Sequence, residues 1–571
     1  IAVCFDYLAN EFSKSRYMTN GQVKCPLVVR TANGGSVRFG APMRLEPGED
    51  KRAFLELFIK DLLYAQPERP RVLGKFNETD GDITGGEWSI PNPTSQTLLR
   101  PNHELNPPLI AQAIATRLKK LGLDADTTAR IDAHLALIRA KEQSLQVIDV
   151  KADRLPWFCS GCPHNTSTKV PEGSRAMAGI GCHFMSLWMD RSTAGFTQMG
   201  GEGVPWVGQQ PFSNDQHIFA NIGDGTYFHS GLLAVRQSVA AGVNITYKIL
   251  YNDAVAMTGG QPVGERPEGH TPVQMAQSMR AEGAQKITIV TDEPQKYQGV
   301  SGLPAGVTVQ HRDLLDAIQR QMREISGCTV ILYDQTCATE KRRRRKRGTL
   351  VDPALRVVIN PAVCEGCGDC NVQSNCLSVM ALETEFGRKR RINQSSCNQD
   401  FSCLEGFCPS FVTLRGAKRN PPRPLATAAL PSLPEPTQAR IAGVHNILIA
   451  GVGGTGVVTA SGLLGLAAHL EGKHVAQLDQ TGLAQKFGAV LSHVRIATER
   501  ERLHGMRIPA GQVDVLLGAD LVVAAGKEPL AMLAADRSVV IVNTHEEMPP
   551  SKESVLRVVQ PQLRGELCSL T

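Results

Sequence analysis

The sequence lacks the marks of membrane proteins, of secreted proteins and of strongly charged binding modules. No hydrophobic run approaches the roughly 20 apolar residues that a membrane-spanning helix needs, and no secretory signal begins the chain. The net charge of +6 is small for 571 residues, so charge points to no particular class of partner. We therefore expect a cytoplasmic protein that binds neither membrane nor nucleic acid.

What the sequence has in quantity is cysteine. Fifteen cysteines without a secretory signal favour a reducing compartment, and metal ligation over disulfides. The length predicts three or four domains, and the hydrophobic content of 42% and charged content of 20% are ordinary for a globular protein. Because the chain starts at Ile1 and not at Met, we expect a fragment of a longer protein.

Composition divides the chain into five segments. In the second segment, apolar runs of strand character (HIFANI, ITYKILY, KITIV and TVILY) alternate with helical stretches, which predicts an α/β domain with a doubly wound parallel sheet. The third is short, cysteine-rich and poor in apolar runs, so metal must replace part of its core. The segments are 1–150, an N-terminal remnant and connecting region; 151–340, the parallel-sheet domain; 350–420, the cysteine-rich module; 421–440, a proline-rich linker; and 441–571, a truncated C-terminal α/β domain.

A Gly-Asp-Gly turn and a later asparagine predict a magnesium–diphosphate site. Gly223, Asp224 and Gly225 follow one apolar run, and Asn252 follows the next. Glycines permit positive φ and close backbone approach, while the carboxylate and the amide offer oxygens to Mg²⁺, which takes part of its shell from a bound phosphate. Such sites lie at the carboxyl ends of parallel strands. The pattern resembles the thiamine diphosphate signature, although a bare Gly-Asp-Gly is usually only a turn.

The cysteine-rich module predicts an iron–sulfur centre. Cys364, Cys367 and Cys370 are each separated by two residues, a spacing that wraps one 4Fe–4S cubane, and the fourth ligand commonly comes from a distant Cys-Pro pair such as Cys408-Pro409. Zinc is the alternative metal, because CxxC pairs also build zinc sites. The module's other cysteines would ligate a second cluster if some further group completes it; they are Cys376, Cys397 and Cys403.

Four more cysteines bracket the Gly-Asp-Gly signature. Cys159 and Cys162 form a CxxC pair before it, Cys182 follows in Gly-Ile-Gly-Cys, and Cys337 comes at the far end of the same segment. A lone CxxC can be redox-active or structural. Four cysteines around the signature instead predict a cluster beside the cofactor, which would give electrons a route away from it.

Motifs in three segments follow the order of one enzyme family. In the parallel-sheet domain they are CSGCPH at 159–164, GIGC at 179–182, GDGTYFHSG at 223–231 and ILYNDAVAMTGGQP at 249–262. They resemble the thiamine-binding domain of the 2-oxoacid:ferredoxin oxidoreductases, and the last resembles the indolepyruvate type. The module and the C-terminal segment resemble the ferredoxin-type insert and the gamma domain of the long, fused bacterial form, through AVCEGCGDC at 362–370, ETEFGRKR at 383–390, SSCNQDFSC at 395–403, ILIAGVGGTGVVTASGLLGLAA at 447–468 and LDQTGLAQKFGAVLSHVRIA at 478–497.

The resemblance implies oxidative decarboxylation of an aryl 2-oxoacid, such as indolepyruvate, to an acyl-CoA. It implies thiamine diphosphate, Mg²⁺ and one or more 4Fe–4S clusters as cofactors. It also implies ferredoxin and coenzyme A as partners and a homo-oligomer. A backbone carbonyl near Ala254 would join Asp224 and Asn252 at the metal. Among the histidines near the motifs (His164, His183 and His229), we predict that His229 moves protons.

Two alternatives to this oxidoreductase stay open. The family's pyrimidine-binding domain, which carries the glutamate that activates the cofactor, is absent or nearly so from this sequence, which predicts a non-catalytic electron-transfer fragment as one alternative. The other is a non-redox thiamine-dependent decarboxylase with a structural metal module. Iron content and electron paramagnetic resonance separate these possibilities, because the oxidoreductase alone needs reducible clusters beside thiamine.

A glycine-rich loop and a basic run are two further motifs with more than one interpretation. Gly451, Gly453 and Gly456 fit the dinucleotide fingerprint after a strand. Glu471 lies before the next strand and not at its end, so we predict a helix N-terminus able to hold phosphate, with flavin or NAD as the alternative.

The basic run 341–347 lacks the aromatic residues of nucleic-acid-binding segments and predicts a solvated connector, or a patch that attracts an acidic electron carrier.

Overall fold

The computed structural model describes seven stretches of the chain: 107–120, 122–147, 155–264, 269–417, 441, 443–482 and 488–544. Most of the segment 1–150, the proline-rich linker 421–440 and the end of the C-terminal segment lie outside these residues. Within the described stretches, no helix combines the length and the hydrophobicity that a membrane span requires. The segment boundaries inferred from composition stay predictions.

The helical region before residue 148 forms a compact unit of its own. Helix α1 (Pro107–Lys119) and helix α2 (Ala125–Val147) pair through Gln112 and Glu142, whose side chains lie 3.3 Å apart. Asp124 precedes α2, and its carboxylate accepts a hydrogen bond from a first-turn backbone N–H, as an N-cap aspartate does. Ala115, Leu135 and Ile138 are the buried apolar residues in the described part of the two helices.

A seven-stranded parallel sheet forms the centre of the next region, which confirms the predicted fold class. Its order is β2-β1-β3-β4-β7-β5-β6. Alternate residues of the central strands enter two hydrophobic clusters, with Ile249 and Ile289 in one and Leu250 and Val290 in the other. Both faces are therefore buried, as continuous apolar runs predict. The strands are β1 (Ala176–Ala178), β2 (Thr193–Phe196), β3 (Ile218–Gly223), β4 (Ile245–Tyr251), β5 (Lys286–Thr291), β6 (Thr308–His311) and β7 (Cys328–Asp334).

Helices connect these strands and cover the sheet. The helix that follows β3 is interrupted by a π-helical segment, Tyr227–Gly231, a local widening that is frequent at functional sites. Thr271 caps another helix through a reciprocal pair of hydrogen bonds with Gln274. The helices of this region are α3 (His164–Ser167), α4 (Val204–Gln209), α5 (Asp224–Thr226), α6 (Leu232–Ala241), α7 (Pro272–Glu282), α8 (Leu315–Met322) and α9 (Ala338–Lys346).

The four strands that were predicted from apolar runs are β3, β4, β5 and β7, and the structure adds the short strands β1, β2 and β6. These three span at most four residues each. So short a segment carries too little periodicity to be recognised. β2 and β6 also lie at the sheet edges, where partial exposure removes the apolar signature.

The basic run is a helix and not a solvated connector. Most of it forms α9, and several of its side chains form ion pairs or hydrogen bonds. Arg344 pairs with Asp253 at 2.7 Å, and the guanidinium of Arg345 donates to the carbonyl of Asn398 at 3.0 Å. Because Asp253 belongs to the sheet region and Asn398 to the cysteine-rich module, α9 joins the two.

The cysteine-rich module contains two small antiparallel sheets. One pairs β8 with β11 and the other pairs β9 with β10. Its buried apolar residues are few, with Ile359 and Val379 packed against Cys364 and Cys370. A module with so little apolar core fits the expectation that metal supplies stability. The elements are β8 (Leu355–Ile359), α10 (Asp369–Ser374), β9 (Val379–Thr384), β10 (Gly387–Ile392) and β11 (Phe411–Arg415).

The C-terminal region is an α/β unit with a mixed five-stranded sheet of order β13-β14-β12-β15-β16. β14 is antiparallel to both β12 and β13 and separates them. A dinucleotide fold places the second strand of its βαβ unit in a parallel sheet, so this arrangement disfavours the NAD alternative for the glycine-rich loop. The elements are β12 (Val444–Val452), α11 (Val457–Leu470), β13 (His474–Gln480), β14 (Ala489–Ala497), β15 (Val515–Gly518), α12 (Leu521–Ala524), α13 (Lys527–Met532) and β16 (Val539–Val542).

Candidate functional site

The order of the strands brings three loops to one edge of the sheet. β3, β4 and β7 are neighbours and parallel, with Gly223 opposite Leu250 and Tyr251 opposite Asp334. The residues that follow these strands therefore meet at their carboxyl ends. These are the Gly-Asp-Gly turn, Asn252 and the segment leading to Cys337, which are distant in sequence and adjacent in space.

Asp224 is buried at this edge. Its Oδ1 accepts a hydrogen bond from the backbone N–H of Gly225 and its Oδ2 accepts one from that of Asn252, both at 2.8 Å. Burial raises the pKa of Asp224 to about 7, against the opposing effect of these two hydrogen bonds. Among the described ion pairs none includes this carboxylate. A buried carboxylate in this state is stabilised by a cation.

Asn252 lies at the same edge of the sheet and could offer a second oxygen. Its Oδ1 is buried and has no hydrogen-bond partner among the described residues. The next residue, Asp253, has a left-handed backbone with φ 61°, which a non-glycine residue rarely adopts and which clusters at functional sites. Ala254, whose carbonyl we expected at the metal, is buried in the same turn. An orphaned amide oxygen beside a buried carboxylate fits the hard, oxygen-only ligands of Mg²⁺.

One of the two reasons predicted for the glycines of the turn agrees with the geometry. We expected them to permit positive φ, but Gly223 has φ −73° and Gly225 lies within α5. Space is the constraint at Gly225, because a Cβ there would lie 3.3 Å from a methyl group of Val255. The close-approach part of the prediction is therefore the one that the geometry favours.

The three histidines near the motifs have different environments. His229 is exposed in the π-helical segment, with Nδ1 2.8 Å from the Ser230 hydroxyl. His183 is buried, its Nε2 has no hydrogen-bond partner among the described residues, and its ring lies 3.5 Å from where a Cβ of Gly223 would be. Burial, and then the charge of Lys248, lower the pKa of His183 to about 4. His183 is therefore a neutral polar group at the turn, and the role of His229 stays a prediction.

The four cysteines that bracket the signature come together around one cavity, which we call the sheet-edge cavity. Its wall also includes His164 and Asn252. The backbone N–H of Cys337 donates to the carbonyl of Asn252 at 2.9 Å. Asn252 thus contacts Asp224 on one side and the cysteine cavity on the other. The cysteines of the wall are Cys159, Cys162, Cys182 and Cys337.

The module's cysteines form two groups. Cys376, Cys397 and Cys403 line a second cavity, which we call the module cavity. The other group is Cys364, Cys367 and Cys370, which are close enough for the first two to raise the pKa of the third, although burial is the larger cause. Cys408, the predicted fourth ligand of that group, lies with its sulfur 3.0 Å from the Ser410 hydroxyl.

Among the described residues, neither group of cysteines forms a site for a single metal ion. Across the described residues, no set of three or more His, Cys, Asp or Glu side chains is close enough to hold one metal ion. The thiolates of a cubane lie further apart than those of a zinc site, because each binds a different iron. The ligand assignments of all these cysteines stay predictions.

Residues of the CxxC loop line both cavities. Cys159 and Cys162 line the sheet-edge cavity, and Gly161, between them, lines the module cavity. Gly161 has φ 64°, and a Cβ there would lie 2.9 Å from Cβ of Asp400. The amide of Asn398 donates to the carbonyl of the neighbouring Ser160 at 2.8 Å. The module is therefore docked directly on the CxxC loop.

Sequence reasoning missed the residues that hold this contact. Arg312 donates to the carboxylate of Asp400 at 2.6 Å and to its carbonyl at 2.9 Å, and Gln335 donates to the same carboxylate at 2.8 Å. Nothing around Arg312 or Gln335 in the sequence marks them. Asp400 does have a signal, because it lies midway between Cys397 and Cys403.

Three family models match separate parts of the chain. The indolepyruvate ferredoxin oxidoreductase middle domain matches residues 46–148. The C-terminal TPP binding domain of thiamine pyrophosphate enzymes matches residues 179–331. The pyruvate ferredoxin/flavodoxin oxidoreductase model matches residues 446–566. The order of the three models along the chain agrees with the order of the motifs.

Curated relatives match in two parts. The indolepyruvate oxidoreductase subunit IorA of Thermococcus kodakarensis is 25% identical over 322 residues, covering 52% of this chain and 45% of the relative. Subunit IorB of the same organism is 41% identical over 80 residues, covering 14% of this chain and 38% of the relative. The chain thus spans less than half the length of each of these two relatives.

Among solved structures, a 2-oxoglutarate:ferredoxin oxidoreductase from Magnetococcus marinus is similar to part of the chain. The sequence identity is 23% and the TM-score is 0.25, with 34% of this chain and 67% of that chain covered.

Proposed function

We propose that this chain, which belongs to the indolepyruvate ferredoxin oxidoreductase family, is part of an enzyme that oxidatively decarboxylates an aryl 2-oxoacid. The product would be an acyl-CoA, and ferredoxin would accept the electrons. The observation that carries the proposal is the position of Asn252, which touches the buried carboxylate of Asp224 and also lines the sheet-edge cavity. An organic cofactor held here would lie beside the cysteines that take its electrons.

The chain's own residues have separate tasks in this proposal. Asp224 and Asn252, with the carbonyl near Ala254, would hold Mg²⁺ and through it a diphosphate. The small residues of the turn would leave room for the phosphate oxygens. His183 would face the same turn as a neutral ring, because burial disfavours its protonated form. The buried walls of β3 and β4 would fix these groups in place and exclude water.

Thiamine diphosphate, when bound, supplies the electron sink that lets a 2-oxoacid lose CO₂. Iron–sulfur clusters at the cysteines would supply one-electron acceptors. Electrons would pass from the cluster at the four cysteines of the sheet-edge cavity to the module docked on the CxxC loop. Matches to both the IorA and the IorB subunits support a fused or multi-subunit enzyme.

The proposal is tested on the whole chain, purified without oxygen. Iron, sulfide and Mg²⁺-dependent retention of thiamine diphosphate are measured first. Reduction of a viologen dye by indolepyruvate is then followed with and without coenzyme A, for the chain alone and with a separately supplied pyrimidine-binding domain. We expect reducible clusters and CoA-dependent dye reduction; a colourless protein that retains no thiamine diphosphate would contradict the proposal.

The same measurements separate the two alternatives. A non-redox decarboxylase would release CO₂ from indolepyruvate without reducing the dye. An electron-transfer fragment would hold reducible clusters but would not turn over with either addition. Preference for other aryl 2-oxoacids is compared in the same assay. A homo-oligomeric state and a cytoplasmic location stay predictions.

A further inference from the structure

The two cysteine loops of the module have the same spacing but not the same residues. In the first, Cys364, Cys367 and Cys370 are each separated by two residues. In the second, Cys397 and Cys403 are separated by five residues, and Asp400 lies at the middle position. The x2, x2 spacing lets three successive side chains face one cubane. Asp400 therefore occupies the position of the middle ligand.

The backbone repeats as well as the spacing. Cys367 is flanked by Gly366 and Gly368, which have φ of 76° and 85°. Asp400 is flanked by Gln399 and Phe401, with φ of 59° and 64°. Glycine adopts this left-handed conformation freely, but for glutamine and phenylalanine it is unfavourable. The second loop keeps the conformation of the first at a cost, which indicates that the direction of the middle side chain matters.

A hydrogen bond to sulfur also repeats. In the first loop the backbone N–H of Gly366 donates to the sulfur of Cys364 at 3.4 Å. In the second loop the backbone N–H of Gln399 donates to the sulfur of Cys397 at 3.4 Å. Each donor is two residues after its cysteine. Hydrogen bonds of this kind are among the interactions that tune iron–sulfur clusters, so the two loops are built alike at the atoms that matter for ligation.

Asp400 lines the module cavity together with Cys376, Cys397 and Cys403. Its side chain is only 8% exposed. Arg312 and Gln335 both donate to Oδ1, and within the described stretches no hydrogen bond to Oδ2 is present. The two donors would hold the carboxylate by one oxygen and leave the other available. A purely structural ion pair would not require a position on the wall of a cysteine cavity.

We propose that Asp400 is the fourth ligand of an iron–sulfur cluster in the module cavity, alongside Cys376, Cys397 and Cys403. This rests on the proposed function, which assigns clusters to the module. Arg312 and Gln335 are positioning residues, which orient the carboxylate and do not bind iron. A carboxylate is a harder and weaker ligand for cluster iron than a thiolate, so the iron at Asp400 is the labile one.

The expected chemistry is a simple loss of that iron under oxidation. With ferricyanide as oxidant, a [4Fe–4S]²⁺ core releases Fe²⁺ and gives one electron to ferricyanide, leaving a [3Fe–4S]⁺ core held by three cysteines. Charge and iron both balance in this step. A cluster with four thiolate ligands resists the same treatment more strongly.

The test uses the full chain reconstituted with iron and sulfide without oxygen. Four proteins are compared: wild type, Asp400→Cys, Asp400→Ala and Glu383→Gln. Iron and sulfide per chain are counted before and after ferricyanide, and the 3Fe signal is recorded by electron paramagnetic resonance. Glu383→Gln is the matched control, because it removes a carboxylate of the same module that is 67% exposed and does not line the module cavity.

We expect wild type and Glu383→Gln to assemble the same amount of iron and to give the 3Fe signal after oxidation. Asp400→Ala should show that signal before oxidation, with one iron atom fewer per chain. Asp400→Cys should keep its iron and lose most of the ferricyanide-induced signal. Equal iron content and equal 3Fe signal in wild type, Asp400→Ala and Asp400→Cys would overturn the assignment of Asp400 alone, whereas absence of iron from the wild type would overturn the proposed function with it.

Discussion

The sheet-edge cavity is built on the carboxyl ends of a seven-stranded parallel sheet, whereas the module cavity lies between loops of a module with two-stranded sheets. The first has four cysteines drawn from three distant places in the chain. The second has three cysteines and one carboxylate from a span of fewer than 30 residues. The position of the sheet-edge cavity therefore depends on a preformed apolar core. The geometry of the module cavity depends mostly on its own loops.

The difference has a physical cause. The strands behind the sheet-edge cavity bury large side chains on both faces, and each buried side chain contributes about 1.5–3 kcal/mol. The module has only a small apolar cluster, in which cysteines themselves are members. We therefore expect the sheet to fold without metal and the module to depend on it.

The largest effect is expected from Asp224→Asn. The substitution removes the charge that a divalent cation needs while keeping the size of the side chain, so Mg²⁺-dependent affinity for thiamine diphosphate should fall at least about 100-fold. Iron in both cavities should be unchanged. Binding is measured by equilibrium dialysis with and without Mg²⁺. Asp215→Asn, at an exposed carboxylate, is the control, and equal losses in the two variants would contradict a metal role for Asp224.

Removal of iron should destabilise the module and leave the stability of the sheet unchanged. Backbone amides of β9 and β10 should exchange at least about tenfold faster in the iron-free chain, because metal binding supplies folding free energy there. Amides of β3 and β4 should keep their protection. Hydrogen exchange read by mass spectrometry on matched iron-free and reconstituted samples measures both regions together. If exchange accelerates equally in β9 and β3, the sheet and the module depend on iron to the same extent.

The contact between the cavities is tested by a pair of glycine substitutions. Gly161 and Gly173 both have a left-handed backbone, with φ of 64° and 74°, but a Cβ at Gly173 would meet no atom within 4 Å. Alanine should cost about 1–2 kcal/mol of unfolding free energy at either position from backbone strain. Gly161→Ala should cost a further ~1–3 kcal/mol from overpacking against Asp400.

Urea unfolding of the reconstituted variants gives both values. Equal losses at Gly161 and Gly173 would show that the CxxC loop does not need the close approach of the module. A larger loss at Gly161, removed by iron depletion, would show that the docked module is the cause.

The smallest effect concerns acid sensitivity of the sheet. His217 lies before β3 with its Nε2 2.7 Å from the Thr246 hydroxyl, and burial, then the charge of Arg323, lower its pKa to about 4. The unfolded chain, with a histidine pKa near 6.5, binds the proton more readily. Stability from this group is therefore complete above pH 6.5 and is lost as pH falls towards 4, by about 1–2 kcal/mol after allowance for partial exposure.

Tryptophan fluorescence reports this change for the sheet region, which contains Trp157, Trp188 and Trp206, whereas the module has no tryptophan. His217→Gln should flatten the dependence of the urea midpoint on pH between 6.5 and 4. An unchanged slope in the variant would assign the acid sensitivity to other groups.

Much of the fold could be predicted because its strands are continuous apolar runs. These runs predicted β3, β4, β5 and β7. The Gly-Asp-Gly residues proposed to bind the cofactor lie in the turn directly after β3. The short strands β1, β2 and β6 could not be predicted, because their place in the sheet depends on strands far away in the chain. The basic run was misjudged for a related reason: Arg344 and Arg345 find their partners only when the sheet and the module meet.

The sequence by itself determined which residues can do chemistry: a Gly-Asp-Gly turn, an asparagine one βαβ unit later and cysteines at cluster spacing. Local spacing suffices for this, because ligand type and turn geometry are properties of a few consecutive residues. Only the tertiary structure decided which of them share a site. Asn252 meets Cys337, and Gly161 meets Asp400, because parallel strands and docked loops bring together residues that are separated by tens to hundreds of positions.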